Sequence, residues 1–337
     1  MLGGKMVGDT SVAAIGLGLM TLSGTYGPVA SDEERLKFLD EAYARGERNW
    51  DTADRYAGNE ELLGKWFKRS GKRADIFLAT KFGLAHGDSK RVVRADPEYV
   101  REAFNKSLER LGVDTVDLYY LHRADPSVPI ELTVRAMAEL VTEGKVKYLG
   151  LSEVSAATLR RAHAVHPIAA IQLEYSPFEL GIEDPKIGIL AAARELGVTV
   201  FAYSPLGRGI LTGQYKSVDD FAPTDLRRML PRFSKENFPN ILKLVDGIQS
   251  IAKKYSATPG QVALAWLLAQ GEDIIPIPGT TKIANLDENL AALNLKLTPE
   301  EVQEIREIAI KSEVAVIERY PEVWRSYAYA DTPELKE

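Results

Sequence analysis

Along the chain, short unbroken apolar runs alternate with longer stretches in which apolar positions recur every three or four residues. The short runs are Val12–Gly16, Arg48–Asp51, Ile76–Lys81, Val116–Leu121, Val146–Leu151, Ala169–Leu173, Val198–Tyr203 and Ile274–Ile277. Runs this brief, apolar at successive positions, predict parallel strands covered on both faces. The longer stretches predict helices. Asp32–Arg45 repeats Leu36, Leu39 and Tyr43 behind Ser31, an N-cap residue type, and Asn59–Lys68 carries Leu62, Leu63 and Trp66. Pro97–Arg110 opens after Asp96 and stops near Gly112, with cap chemistry at both ends. Pro129–Thr142, Ser155–Val165 and Asp184–Leu196 continue the series.

Strand and helix in strict alternation, without a break in composition, predict an α/β fold. The expected architecture is a single (β/α)8 TIM barrel occupying residues 1–337 as one domain. The length beyond the ~250 residues of a plain barrel falls in two places. One is a Pro-, Gly- and charge-rich segment, Pro205–Pro239, after the seventh strand. The other is a tail, Ser312–Glu337, carrying Tyr320, Trp324, Tyr327 and Tyr329. Its aromatics suit a lid over the barrel mouth.

Composition narrows the function. The net charge is −6 and basic residues form no long run, which argues against nucleic acid and against an anionic membrane surface. There is no cysteine, so disulfides, thiolate metal sites and a cysteine nucleophile are excluded, as suits a reducing compartment. No run reaches the roughly 18 apolar residues of a membrane span, and Met1–Val12 lacks the apolar core of a signal peptide. A soluble cytoplasmic protein is the expectation.

Barrel chemistry sits at the carboxyl ends of the strands. The second expected strand runs into Asp51 and, five residues on, Tyr56; the third ends in Lys81 and the fourth in His122. A phenol ionises near pH 10 and is a reluctant acid at neutrality. A lysine cation beside it stabilises the phenolate, an aspartate holds the lysine charged, and a histidine adds a second hydrogen bond to a substrate oxygen. Taken singly, Asp51 reads as a helix cap, Lys81 and His122 as structural polar residues, and Tyr56 as a loop aromatic. Their joint placement on successive strand ends carries the reading of a proton-transfer device that needs no nucleophile and no metal.

Two further sets concern a ligand. Ser204-Pro205-Leu206-Gly207-Arg208-Gly209 follows the seventh strand, and Pro278-Gly279-Thr280-Thr281-Lys282 follows the eighth. Both suit phosphate held by backbone N–H groups and a cation, and both equally suit ordinary turns with a surface lysine. Ser152 and Glu153 at the fifth strand's end, Gln172 in the sixth and Tyr203 ending the seventh could fix a carboxamide and stack on its ring; Gln172 equally reads as a structural amide. Gly16-Leu17-Gly18 is no dinucleotide fingerprint, because Thr21 replaces the third glycine and Gly24, Gly27 and Pro28 block a helix. His163 and His166 lie on a helix without a third ligand type near them.

The stretches Asn49-Trp50-Asp51-Thr52-Ala53 leading to Tyr56, Ala79-Thr80-Lys81-Phe82-Gly83, Leu118-Tyr119-Tyr120-Leu121-His122, Gly150-Leu151-Ser152, Tyr203-Ser204-Pro205-Leu206-Gly207-Arg208-Gly209 and Ile277-Pro278-Gly279-Thr280 strongly resemble the aldo-keto reductase superfamily. The likeness runs from about Val12 to Leu297, nearest to fungal yakc-type and plant perakine reductase-like members. It implies an NADPH/NADP+-dependent reductase of small-molecule aldehydes or ketones, with Tyr56 as general acid, Asp51 and Lys81 in support, and His122 orienting the substrate. It implies cofactor contacts from Met20, Asp51, Ser152, Glu153, Gln172, Tyr203 and the Ser204–Gly209 loop, the last at the pyrophosphate. The adenosine phosphate falls to Gly279, Thr280, Thr281, Lys282, Asn285, Glu288 and Asn289. Apart from the resemblance, Arg227 of the long loop is a further candidate cation for the 2′-phosphate. Two positions depart: many members have asparagine where Glu153 stands, and some have arginine at Asn285. Rival readings are a cofactor-binding regulatory subunit resembling potassium-channel β subunits, and a Schiff-base enzyme using Lys81.

Overall fold

The computed structural model describes residues 2–85 and 92–336. It opens with a hairpin, β1 (Gly4–Val7) antiparallel to β2 (Thr10–Ala13). Eight parallel strands follow: β3 (Leu17–Gly18), β4 (Asn49–Asp51), β5 (Phe77–Phe82), β6 (Val116–Leu121), β7 (Val146–Ser152), β8 (Ile168–Glu174), β9 (Thr199–Tyr203) and β10 (Ile274–Pro276). They pair in chain order from β3 to β10. The ring then closes across its seam, where Gly16 N donates to Pro276 O at 2.9 Å and Gly18 N to Pro278 O at 3.1 Å. A Cβ on Gly18 would lie 2.7 Å from Ile277 O, so the seam needs glycine there.

Helices surround the ring: α1 (Asp32–Ala44), α2 (Asn59–Ser70), α3 (Pro97–Leu111), α4 (Ile130–Thr142), α5 (Ala156–Val165), α6 (Ile189–Glu195), α7 (Phe238–Lys254), α8 (Pro259–Leu268), α9 (Ile283–Ala291), α10 (Pro299–Lys311) and α11 (Glu322–Arg325). The anticipated caps are present: Ser31 accepts from Glu34 N, Asp96 from Tyr99 N, and Gly112 ends α3 in the left-handed conformation. Between strands and helices lies a continuous apolar shell including Trp50, Trp66, Phe82, Phe104, Tyr119 and Trp266. A second core fills the barrel with Phe77, Ala79, Leu118, Tyr120, Ala170, Phe201 and Ile275. Gly150 makes room for Tyr120, whose ring would stand 2.4 Å from any Cβ there. No helix among the described residues is long and apolar enough to cross a membrane.

Two expected elements differ. Val12–Gly16 is not the first barrel strand: β2 ends at Ala13 and belongs to the hairpin, whose Val7 and Val12 join the interior core, while the barrel begins at Leu17. Apolar runs do not distinguish a strand in the ring from one plugging its floor. The helix expected over Asp184–Leu196 forms only at Ile189–Glu195, after a short turn at Gly181–Glu183, because Pro185 and a left-handed Gly188 interrupt it. The segment after β9 is a string of single helical turns, Gly207–Thr212, Val218–Asp220, Leu226–Met229 and Pro231–Phe233.

Candidate active site

Because side chains alternate along a strand, interior positions recur every second residue. Phe77 and Ala79 of β5 lead to Lys81; Leu118 and Tyr120 of β6 lead to His122; Ala170 of β8 leads to Gln172 and then Glu174. The apolar filling of the barrel therefore gives way, over one step, to a layer of buried polar groups at the carboxyl end.

Four of these groups meet. The fully buried Lys81 donates from Nζ to Asp51 Oδ1 at 2.5 Å, to Thr52 O at 2.7 Å and to the Tyr56 hydroxyl at 3.2 Å. Asp51 Oδ2 is held by Gln172 Nε2 at 2.8 Å. The Tyr56 and His122 rings stand edge to face with centroids 5.9 Å apart. Burial alone would discharge Lys81, but Asp51 and Tyr56 more than offset it and keep the ammonium charged. Burial pushes the Tyr56 phenol above its ordinary value while Lys81 pulls it back, so the phenol holds its proton at pH 7. Burial, with the charges of Lys81 and Arg123, drives the His122 imidazole well below its ordinary range. It is neutral at pH 7, and its Nδ1 is buried without a hydrogen-bond partner. Asp51, Tyr56, Lys81 and His122 are thus brought together as the sequence predicted.

Beside them, at the ends of β7, β8 and β9, lies a denser polar cluster. Arg123 Nη1 donates to Ser152 Oγ at 3.2 Å. Glu153, fully buried with φ of 55°, accepts from the Tyr203 hydroxyl at 2.9 Å and from Arg319 of the tail at 2.8 Å. Arg319 also donates to Glu174 at 3.0 Å and to the Tyr203 hydroxyl at 2.9 Å, while the Tyr203 and Tyr320 hydroxyls lie 2.8 Å apart. Burial would raise both carboxyls, yet the guanidiniums prevail. Arg319 and Arg123 hold Glu153 below its usual range, and Arg208, Arg319 and Arg232 bring Glu174 down to about 2. Ser152, Glu153, Gln172 and Tyr203 are all at the mouth as expected, but Gln172 is engaged with Asp51 and Glu153 with the tail.

The two loops expected to meet phosphate follow the neighbouring strands β9 and β10. In the first, Ser204, Gly207, Arg208 and Gly209 all have positive φ, and Pro205 and Gly207 are buried. Within this turn Gly207 N donates to Ser204 O at 2.8 Å and Gly209 N to Leu206 O at 3.0 Å. Gly279 follows β10 and touches the first barrel strand, a Cβ there lying 2.7 Å from Gly18 O. Thr280 Oγ1 accepts from Lys282 N at 3.0 Å, and Thr281, Lys282 and Asn285 are exposed around the start of α9. No side chain caps α9 and its first turn holds no acid, as is also the case for α6 and α7. Glu288 accepts from Thr258 at 2.7 Å and Asn289 is buried, both on α9. Met20 begins the helical turn that follows β3. Arg227 is tied down: it pairs with Asp225 at 2.6 Å, donates to Arg208 O at 2.8 Å and packs over Tyr26, Tyr215 and Phe221, so it braces the loop rather than reaching for a ligand.

Sequence reasoning overlooked Arg123, Glu174 and Arg319. Glu174 was findable, since it follows Gln172 by two residues and so shares its face. Arg319 carries no such signal, for the tail has no periodicity to place it.

A closed parallel barrel with a lysine, an aspartate, a tyrosine and a histidine converging at its carboxyl mouth defines a class of barrel proteins that handle small molecules there. The chain belongs to the aldo/keto reductase family, whose model matches residues 14–310. It is 60% identical over 315 residues to aldo-keto reductase str7 of Strobilurus tenacellus, covering 92% of this chain and 93% of that one. It is 48% identical to aldo-keto reductase yakc [NADP(+)] of Schizosaccharomyces pombe, covering 98% of each. Among solved structures, a glycerol dehydrogenase of Gluconobacter oxydans superposes with a TM-score of 0.83 at 29% identity, over 92% of this chain and 96% of that one.

Proposed function

We propose that the protein reduces aldehydes or ketones to alcohols with NADPH, Tyr56 delivering the proton. The observation that carries this reading is the single ammonium, Lys81, bonded at once to Asp51 and to the Tyr56 hydroxyl. NADPH, when bound, would supply the hydride that the carbonyl carbon accepts. Neutral His122 donates a hydrogen bond to the carbonyl oxygen, and Tyr56 passes its phenolic proton to that oxygen as negative charge builds there. Lys81, 3.2 Å away, stabilises the phenolate left behind until solvent returns the proton. Asp51, gripped by Gln172, keeps the ammonium aimed.

The chain also suits the cofactor's shape. Ser152, Gln172 and Tyr203, at the carboxyl ends of β7, β8 and β9, would take the nicotinamide. The left-handed Ser204–Gly209 loop would take the pyrophosphate, and the uncapped start of α9, with Lys282, the 2′-phosphate. The name of the Schizosaccharomyces pombe relative supports NADP(H). A Schiff-base role for Lys81 is disfavoured because an amine held charged by Asp51 is no nucleophile. A regulatory role resembling channel β subunits predicts cofactor binding with little turnover. The test is NADPH consumption across a panel of carbonyl compounds. Turnover with at least one aldehyde or ketone is expected, and tight NADPH binding without turnover of any would overturn the reading.

A further inference from the structure

Arg123 follows His122 just past the carboxyl end of β6 and is half-buried. Its Nη1 donates to His122 O at 2.7 Å and to Ser152 Oγ at 3.2 Å. Those two bonds occupy one end of the guanidinium and hold its plane. Nε and Nη2 have no partner among the described residues. They form the side-on edge of the guanidinium, a fork of parallel N–H groups that fits the two oxygens of a carboxylate. The same edge is filled in that way elsewhere in the molecule. Arg94 grips Asp96, Arg161 grips Glu131 and Arg227 grips Asp225, each through Nε and Nη2 at 2.6–3.1 Å.

The charges around Arg123 are already matched to one another. Lys81 pairs with Asp51, Arg319 with Glu153 and Glu174, Arg208 with Glu174, and Arg232 with Glu179. Among these groups Arg123 is the charge left over. Burial would weaken it, but the fields of Tyr203 and Glu153 keep it ionised. A desolvated guanidinium without a bonded counter-ion is costly, and costs of this kind are kept mainly at functional sites. Behind burial and Lys81, the charge of Arg123 also acts on the Tyr56 phenol and the His122 imidazole, the two groups that would meet a carbonyl oxygen. We propose that Arg123 is a substrate-binding residue whose open Nε–Nη2 edge holds a carboxylate of the carbonyl compound, so that the preferred substrates are oxo acids. The carboxylate supplies the ion pair that Arg123 lacks, and the pairing decides which end of the molecule meets Tyr56. The inference rests on the reading of the mouth as a carbonyl-reducing site.

The test uses two pairs of aldehydes matched in shape: 4-oxobutanoate with its methyl ester, and 4-formylbenzoate with its methyl ester. Each is assayed with NADPH on wild type, Arg123→Met and Arg123→Lys. In wild type, kcat/KM for the acid should exceed that for the ester by about tenfold to a hundredfold in at least one pair, the worth of one charge-assisted contact. Arg123→Met should bring that ratio close to one, and Arg123→Lys, which keeps the charge and loses the fork, should fall between. A wild type that prefers neither acid would overturn the proposal without any variant. So would a ratio that survives in Arg123→Met; a rise in NADPH Kd beside it would assign Arg123 to the cofactor. A binding arm keeps this inference apart from the reading it rests on. Calorimetry follows 4-hydroxybutanoate binding to the NADPH-loaded protein, a combination that cannot react. Turnover of the esters without an acid preference removes the role of Arg123 alone. No turnover of any carbonyl removes the reductase reading, and calorimetry then decides for Arg123. A Kd about tenfold or more weaker in Arg123→Met supports a carboxylate site, while an equal Kd, or no binding in wild type, overturns it.

Discussion

Glu47 lies far from the chemistry, between α1 and β4 at the floor of the barrel, and its carboxyl is wholly buried. Oε1 accepts from Asn49 N at 2.8 Å, but Oε2 has no partner, and burial pushes the group from 4.5 up to about 8. A carboxyl whose folded pKa exceeds its unfolded one adds stability that is present below the unfolded value and is lost as pH rises toward the folded value. The loss therefore runs from about pH 4.5 to pH 8. At about 1.4 kcal/mol per unit, the change between pH 5 and pH 9 is about 3–5 kcal/mol. Glu47→Gln keeps the acceptor oxygen and the shape but cannot ionise. Unfolding of 337 residues at ~2.1 cal/mol/K per residue makes 1 kcal/mol worth about 1.4 °C. The variant should melt within a degree or so of wild type at pH 5 and about 4–7 °C above it at pH 9. Calorimetric Tm across that range, at fixed scan rate, reads the difference. A gap that stays constant with pH would refute the reasoning, because it would mean that Glu47 does not titrate on unfolding.

Tyr56→Phe should lower kcat by about 10²–10⁴-fold, the usual worth of a positioned general acid, with NADPH affinity nearly intact by fluorescence titration; a near-normal kcat would remove Tyr56 from the proton's path. Lys282→Ala should weaken NADPH by about tenfold to a hundredfold and leave NADH almost untouched, as expected for one charge-assisted contact to the 2′-phosphate. Equal losses for the two cofactors would place Lys282 elsewhere.

The parts of this molecule that could be read from sequence are those whose residues obey a local rule. Val116–Leu121 was legible to the residue because an apolar run between helices has one use in a parallel barrel. α3 was legible because Asp96, Pro97 and Gly112 each meet a backbone requirement of a helix end. Asp51, Lys81 and His122 could be placed because they terminate strands, where side-chain parity points them inward. What escaped had no such rule. Val12 packs inside the barrel while its strand lies outside the ring, a tertiary outcome that its own neighbours do not encode. Arg319 reaches Glu153 across 166 positions of chain, and only the folded tail brings them together. Arg227 looked like a free cation for a phosphate and is instead enclosed by Asp225 and three aromatic rings.

The barrel's seam has a consequence for how the chain comes to its shape. β3 is two residues long, and among the described residues the backbone bonds from Gly16 and Gly18 join this edge to the segment around β10. Those partners come from opposite ends of the chain, so this ladder carries the largest loop-closure entropy of any in the ring and is the natural last one to form. Until then the molecule is a curled open sheet with two bare edges, the form of a β-structure most prone to pair with a neighbour's strand. The hairpin shortens that exposure. Lys5 reaches from β1 to Gly271 O at 2.7 Å and Ile274 O at 2.8 Å, the very start of β10. By docking on the far edge through its first residues, the chain brings β3 within reach of β10, and a ring with so slight a seam can close before another molecule finds it.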